Sequence, residues 1–336
     1  MTQEIAHNRN VGILGVGAFA PEDVLTNKDL EKIVETSDEW ILERTGIRER
    51  RISKKDVPTS ELAAQAAKNA LADAGLTIDD IDAILVGTSS PDMFYPSVAC
   101  LVQTQLKPNR KIPAFDLQAG CSGYSYAMIV ATQFIRTGMY KKILVIGADE
   151  ISKMLNWEDR NTCILFGDGA GAVVLGEVAA PYGILGAFMG ADGRGGELLK
   201  FPAGGTRMPA TEETVKQKLH SVHMEGNEVF KFAVRVMGEA AAKALADAGL
   251  QEPDIDWLIP HQANMRIIQS AAKRLKMPME KVIINLDKYG NTSSASIPLA
   301  LEEAVRDGRI KKGDLVLMVG FGAGLTWASV AFRWGK

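Results

Sequence analysis

Apolar residues fall at Tyr124, Ala127, Met128, Ala131 and Ile135, the spacing of a single helix face, and the pattern stops at Gly138. That spacing predicts a helix over 122–137. A different pattern governs "KKILVIG" (Lys141–Gly147) and "KKGDLVLMVG" (Lys311–Gly320), where apolar positions follow one another with no polar face between them. Such runs predict strands buried on both sides, in largely parallel sheets covered by helices. Helical and strand patterns alternate along the chain, which predicts an α/β protein.

The pattern also repeats. "ALADAGLTIDDIDAILV" (Ala70–Val86) returns 174 positions later as "ALADAGLQEPDIDWLIP" (Ala244–Pro260). Each copy reads as an Ala-rich helix ended by a glycine (Gly75, Gly249), an acidic turn and an apolar strand. "GILG" recurs at Gly12–Gly15 and Gly183–Gly186. These matches predict two similar α/β halves, residues 1–180 and 181–336, joined at the turn-rich "AAPYG". In sheets of this kind chemistry gathers beyond the carboxyl ends of the strands.

Composition narrows the function classes. The chain has 336 residues, 46% hydrophobic and 24% charged, enough for a sizeable core. A net charge of −3 lacks the basic excess of a nucleic-acid binder. No 18-residue apolar run escapes a charge and no charged-then-apolar leader opens the chain, so neither a membrane span nor export is expected. Three widely spaced cysteines make neither a disulfide framework nor a zinc site. A soluble protein in the reducing cytoplasm, without a metal, is the expectation.

One of those cysteines stands apart. Cys121 lies between Gly120 and Gly123 at the start of the predicted helix, where unpaired N–H groups and the helix dipole favour a thiolate. In the second half Gly290–Asn291 occupies the place of Gly120–Cys121, and His261 follows the strand that repeats the one ending at Gly87. A cysteine, a histidine and an asparagine from equivalent loops of a pseudo-twofold pair are expected to converge. Cys100, in a helical pattern, and Cys163, in the expected strand "TCILF", read as small buried hydrophobes. His7, His220 and His223 sit among polar residues and are expected at the surface. The strings "GVGAFA" and "GDGAGA" lack the strand–turn–helix context of a dinucleotide fingerprint, which argues against a nicotinamide enzyme. A cysteine hydrolase is the rival class, because Cys, His and Asn occur in that order; the local papain signature is absent.

"AGCSG", "FGDGAGAVVL", "PHQAN", "YGNTSSASIP" and "GFGAGLTW" occur in an order and spacing that resemble the beta-ketoacyl-acyl-carrier-protein synthase III family, over nearly the whole chain. The resemblance implies the thiolase fold, two duplicated halves in a five-layer α/β/α/β/α stack, as a homodimer. It implies a decarboxylating Claisen condensation that starts type II fatty acid synthesis and needs no cofactor beyond its substrates. Cys121 takes a short acyl group, typically acetyl, from acyl-coenzyme A; malonyl-acyl carrier protein then loses carbon dioxide and its carbanion attacks the thioester. His261 and Asn291 would hold the enolate oxygen, and the N–H groups of Cys121 and Ala323 a second oxyanion. A sister enzyme of secondary metabolism is the alternative within the family.

Further positions carry over from the same resemblance. "WILERTG" places Trp40 against the adenine of coenzyme A, with Arg44 and Thr45 nearby and Arg160 over the other adenine face. Gly226 and Asn264 match pantetheine-channel positions. Arg50 and Arg51 read instead as a solvated charge run. Gln262, Arg266, Lys273, Arg274 and Lys231 are expected to dock the acidic carrier protein, with Arg266 nearest the channel mouth. Two departures bear on the acyl group: Ala323 replaces the family's glycine, and Tyr95 stands where phenylalanine reaches across the dimer.

Overall fold

The computed structural model describes residues 9–336, so His7 lies outside the described residues. Among the described residues nine strands make the two main sheets, beside two small two-stranded ones. The first runs in the order Val11–Phe19, Asp168–Glu177, Lys142–Glu150, Ala83–Gly87, Ala114–Leu117; the second runs Trp257–Pro260, Leu315–Gly322, Thr326–Arg333, Gly183–Ala191. The expectation of largely parallel sheets is corrected. Asp168–Glu177 and Thr326–Arg333 are each antiparallel to both neighbours. Only the pairs that include Ala83–Gly87 and the pair of Trp257–Pro260 with Leu315–Gly322 are parallel. For Thr326–Arg333 the cause is connection length: the turn after Gly322 is too short for a helical crossover, so the chain must fold straight back. Both sheets are covered on both faces, which is why antiparallel strands here carry unbroken apolar runs and mimic the parallel pattern.

The sequence repeat is a packing unit. A Cβ on Gly15 would lie 2.5 Å from the Ala70 carbonyl oxygen, and one on Gly186 would lie 2.2 Å from that of Ala244. The second glycine of each "GILG" thus lets the strand press against the backbone of its Ala-rich helix, Thr59–Ala74 or Gly226–Asp247. Both strands bulge nearby, and the freed N–H groups of Val16 and Ala187 donate to Asp73 and Asp247, the aspartates of the two "ALADAG" copies. Gly75 and Gly249 follow the helices at φ +66° and +67°, the left-handed region glycine tolerates best.

Three apolar clusters stack as five layers. One packs Thr59–Ala74 and Val98–Leu106 on the outer face of the first sheet, and another packs Gly226–Asp247 and Met265–Arg274 on the outer face of the second. Between the sheets lie Gly123–Arg136 and Ser296–Arg306, with Tyr124, Met128, Ile297 and Leu301 in one core with both inner faces. The predicted helix over 122–137 is therefore a central one, which explains its long apolar face. "TCILF" is not a strand: Arg160–Cys163 is a helical turn capped by Asp159, with Cys163 buried.

Candidate active site

Cys121 sits in a bend that only glycine permits. Gly120 adopts φ +54° and a Cβ there would meet the Ala323 nitrogen at 2.4 Å; a Cβ on Gly322 would meet the Cys121 nitrogen at 2.3 Å. The thiol loop and the hairpin turn of the second half are thus backbone to backbone. The N–H groups of Cys121 and Ala323 take no part in the turn and loop bonding around them. Cys121 precedes Ser122, the N-cap of the central helix Gly123–Arg136, and that helix is pinned by a Tyr124 N–H bond to Ser294 Oγ at 2.8 Å. The residue is half-buried because it borders a cavity, but its sulfur lies deep. Burial pushes the thiol up to about 12, with buried Asp149 adding to the rise and the Ser293 hydroxyl, which donates to Sγ at 3.3 Å, opposing it. This corrects the expected thiolate. A helix N-terminus contributes only about 0.3–1 kcal/mol, and desolvation of the deeply buried sulfur outweighs it.

His261 is buried beyond strand Trp257–Pro260, its N–H bonded to the Val319 oxygen at 2.8 Å. Burial pushes its imidazole down to about 3, so the ring is neutral. Ser296 Oγ accepts the Gln262 N–H at 3.3 Å and lies 2.6 Å from His261 Nδ1; in the tautomer whose Nδ1 accepts the Ser296 hydroxyl, Nε2 carries the ring proton and is the donor. Asn291 is oriented just as firmly. Its Oδ1 accepts the Ser293 N–H at 2.9 Å, so its amide NH2 is free to donate. Its backbone bonds to Leu165 and Gly167 tie this loop to the first half. Gly290 repeats the positive φ of Gly120, at +64°.

Cys121, His261 and Asn291 line one cavity of about 590 Å³, which opens outward past Trp40, Gly226 and Arg266. A second cavity, of about 330 Å³, meets the first at Cys121 and is walled by Ile151, Met154, Phe166, Leu199 and Val222. The sulfur therefore stands between a channel to the surface and an apolar chamber. At the outer end the Arg44 and Arg160 guanidinium groups both lie over Trp40, 4.7 and 4.9 Å from its ring centroid. Thr45 borders the same channel, although its hydroxyl is bonded to the Ile41 carbonyl. Asn264 caps helix Met265–Arg274 and its amide holds the Arg44 carbonyl at 3.0 Å. A Cβ on Gly226 would meet nothing closer than Met224 at 3.8 Å, so the fold itself does not demand glycine there.

Other expected positions divide. Gln262 is buried, bonded to Pro260, Ile283 and Asn285, so it cannot meet a docking protein and that assignment is corrected. Arg266, Lys273 and Arg274 are exposed, while Lys231 is exposed but paired with Glu228 at 2.6 Å. Arg50 is not solvated either. It is 0% exposed and donates to the Leu25 and Ile164 carbonyls and to Asn27, because a guanidinium buried between loops must spend its donors on oxygens. Arg51 is partly covered and lies over Tyr289. Phe94 and Tyr95 are 80% and 85% exposed. Sequence reasoning missed Asp149, Ser293 and Ser296; the Ser/Thr run after Asn291 was the one available signal. No His/Cys/Asp/Glu cluster suited to a metal, and no helix long and apolar enough to cross a membrane, occurs among the described residues.

Two duplicated halves in five layers, with a thiol at the junction of a channel and an apolar chamber, define a thiolase-fold condensing acyltransferase. The 3-oxoacyl-[acyl-carrier-protein] synthase III model matches residues 115–193 and its C-terminal companion matches 245–334. The chain is 59% identical to the beta-ketoacyl-[acyl-carrier-protein] synthase III of Caldanaerobacter subterraneus subsp. tengcongensis, over 97% of this chain and 98% of that one. It superposes on the 3-oxoacyl-[acyl-carrier-protein] synthase III of Aquifex aeolicus with a TM-score of 0.88 at 47% identity, covering 96% and 100% of the two chains. The priming beta-ketosynthase of the R1128 polyketide pathway is also similar, with a TM-score of 0.91 at 33% identity, covering 100% and 99%. The chain belongs to the beta-ketoacyl-acyl-carrier-protein synthase III family.

Proposed function

We propose that this chain starts fatty acid synthesis by condensing a short acyl-coenzyme A with malonyl-acyl carrier protein. The observation that carries the reading is the placement of Cys121 between the outward channel and the apolar chamber. A pantetheine arm entering by the channel delivers its thioester to the sulfur, and the acyl chain turns into the chamber. Trp40 stacks on the adenine; Arg160, which lies on that ring in the free chain, moves to the other adenine face, with Arg44 beside it. Thr45, Gly226 and Asn264 line the arm's path.

After acylation, malonyl-acyl carrier protein uses the same channel. Loss of carbon dioxide leaves an enolate whose oxygen faces His261 Nε2–H and the Asn291 amide, two neutral donors that cost no proton transfer. Attack on the Cys121 thioester puts negative charge on its carbonyl oxygen, which the Cys121 and Ala323 N–H groups receive. The Ala323 side chain borders the apolar chamber, where the family's glycine would leave more room. No cofactor takes part in these steps. Arg266, Lys273 and Arg274, with Lys231 at the edge, form the carrier-protein face.

The chain works as a cytoplasmic homodimer of two half-repeats, residues 1–180 and 181–336. Met93, Phe94 and Tyr95 are three consecutive exposed apolar side chains, a patch that a partner copy would cover and through which Tyr95 would reach the partner's chamber. Priming of a polyketide pathway is the second reading, favoured by the likeness to the R1128 enzyme.

Mass spectrometry after incubation with a panel of acyl-coenzyme A species tests both. A mass gain on Cys121 confined to short acyl groups supports the first reading; preference for longer primers supports the second. Cys121→Ser should abolish acylation, because a serine hydroxyl there is far harder to ionise than a thiol. Acylation of another residue, or rapid hydrolysis of the acyl group without malonyl-acyl carrier protein, would overturn the condensation reading.

A further inference from the structure

Arg50 is a buried cation that no substrate in the channel can touch. It lies in the middle of the short strand Glu49–Arg51, opposite Leu25 of Val24–Thr26. Its hydrogen-bond partners are all neutral oxygens. Nη1 donates to the Leu25 carbonyl at 3.1 Å and to Asn27 Oδ1 at 2.9 Å, and Nη2 donates to the Ile164 carbonyl at 2.6 Å. Its Nε–H has no partner among the described residues, and desolvation works against the charge. A buried charge held by neutral groups alone is costly, and well-packed apolar side chains often serve stability as well or better. Fold stability alone is therefore a poor account of this guanidinium.

Its place in the fold supplies a better one. The Ile164 carbonyl it holds begins the segment that carries the Asn291 loop. The Asn291 N–H donates to the Leu165 carbonyl at 2.8 Å and the Gly167 N–H donates to the Asn291 carbonyl at 3.0 Å, with Phe166 paired beside Asn291 as in a sheet. The stem of Arg50 packs against the same joint: a Cβ on Gly167 would lie 3.0 Å from Arg50 Cβ, and one on Gly290 would lie 3.2 Å from it. On the other side Asn27 passes the contact on, donating through Nδ2 to Asp38 Oδ1 and to the Ile47 carbonyl, both at 2.8 Å. Asp38 opens helix Asp38–Thr45, which carries Trp40 and Arg44. One side chain thus joins the backbone that seats Asn291 to the helix at the mouth of the channel.

We propose that Arg50 is a positioning residue for Asn291: by fixing segment 164–167, it sets how far the Asn291 amide reaches towards the enolate oxygen. The inference rests on the decarboxylation role given to Asn291 above. Arginine suits the task because its planar fork bonds Asn27 and Ile164 at once, whereas a lysine ammonium is a compact point charge that cannot span both. A misplacement of about 1 Å at a reacting group can cost about 100-fold. Cys121 is seated separately, with its backbone against Gly322.

The test measures malonyl-acyl carrier protein decarboxylation, and Cys121 acylation by saturating acetyl-coenzyme A, in wild type, Arg50→Lys, Asn291→Ala and the double variant. Arg50→Lys should lower the turnover number for decarboxylation by about 100-fold, with little change in KM, while acylation stays within a few-fold. In the Asn291→Ala background the same substitution should cost little more, because a residue that acts through Asn291 then has nothing to position. Arg50→Met keeps the stem, removes every donor and should give the same split, so it carries the test where Arg50→Lys does not fold. Wild-type decarboxylation in either Arg50 variant would overturn the proposal. So would a loss that adds in full to that of Asn291→Ala, an equal loss of both half-reactions, or failure of both Arg50 variants to fold, each of which shows a merely structural role. Normal decarboxylation in Asn291→Ala alone would instead overturn the role of Asn291 on which the proposal rests.

Discussion

His261 and Asn291 approach the channel with their donors already aimed, one by the Ser296 hydroxyl on Nδ1 and the other by the Ser293 N–H on Oδ1. Removing one such donor from an oxyanion site costs about 100- to 1,000-fold. His261→Ala and Asn291→Ala should therefore lose malonyl-acyl carrier protein decarboxylation by about that factor, while acylation by acetyl-coenzyme A largely persists. Normal decarboxylation in both variants would remove them from the enolate site. His261 also makes stability depend on pH. Its folded value, about 3, lies below the ordinary 6.5, so between those limits the unfolded chain binds a proton the folded chain refuses. Stability from this group is complete above pH 6.5 and falls by up to about 1.4 kcal/mol per unit of acidification. Urea unfolding of His261→Gln against wild type, at pH 7 and at pH 5, should show a smaller loss on acidification in the variant.

Among the elements, the strand–helix pairs of the two repeats depend on a missing side chain. Gly186→Ala would place Cβ 2.2 Å from the Ala244 carbonyl oxygen in the last turn of helix Gly226–Asp247. Backbone cannot yield as a flexible side chain can, so the strand must lift from the helix. Overpacking of this kind typically costs about 1–3 kcal/mol. A loss of that size in unfolding free energy is expected, read as a lower urea midpoint without a change in slope, and an unchanged midpoint would show that the close approach is not needed. The repeat was readable because the same contact is made twice from the same residues: glycine on the strand, alanine on the helix, aspartate on the bulge.

At the scale of the whole molecule, a chain of net charge −3 must concentrate positive charge locally to attract an acidic carrier. Arg266 borders the channel and its helix carries Lys273 and Arg274 on exposed positions. Arg266→Glu should slow the use of malonyl-acyl carrier protein, with a marked dependence on salt, because rim charges act mainly on association. Acylation by free acetyl-coenzyme A should change little. Loss of neither reaction would place the docking face elsewhere. Lys231, on the neighbouring helix Gly226–Asp247, is the weaker candidate, since Glu228 already holds its ammonium.

Periodicity, the internal repeat and the glycine-framed cysteine were local patterns, and the α/β class and the meeting of Cys121, His261 and Asn291 at one cavity could be read from them. Strand direction could not, because burial on both faces gives parallel and antiparallel strands the same apolar run. Nor could the state of the thiol. A helix start is visible in sequence, but the depth of Sγ beneath both halves is set by contacts from residues about 170 and 200 positions away, Ser293 and Ala323. Gln262 and Arg50 show the same limit, since polar residues read as exposed until the oxygens that satisfy them in the interior are known. Asp149 was invisible for that reason. An aspartate near the end of a strand has no signature of its own, and only the folded chain brings the 88–90 loop and Ser294 around it.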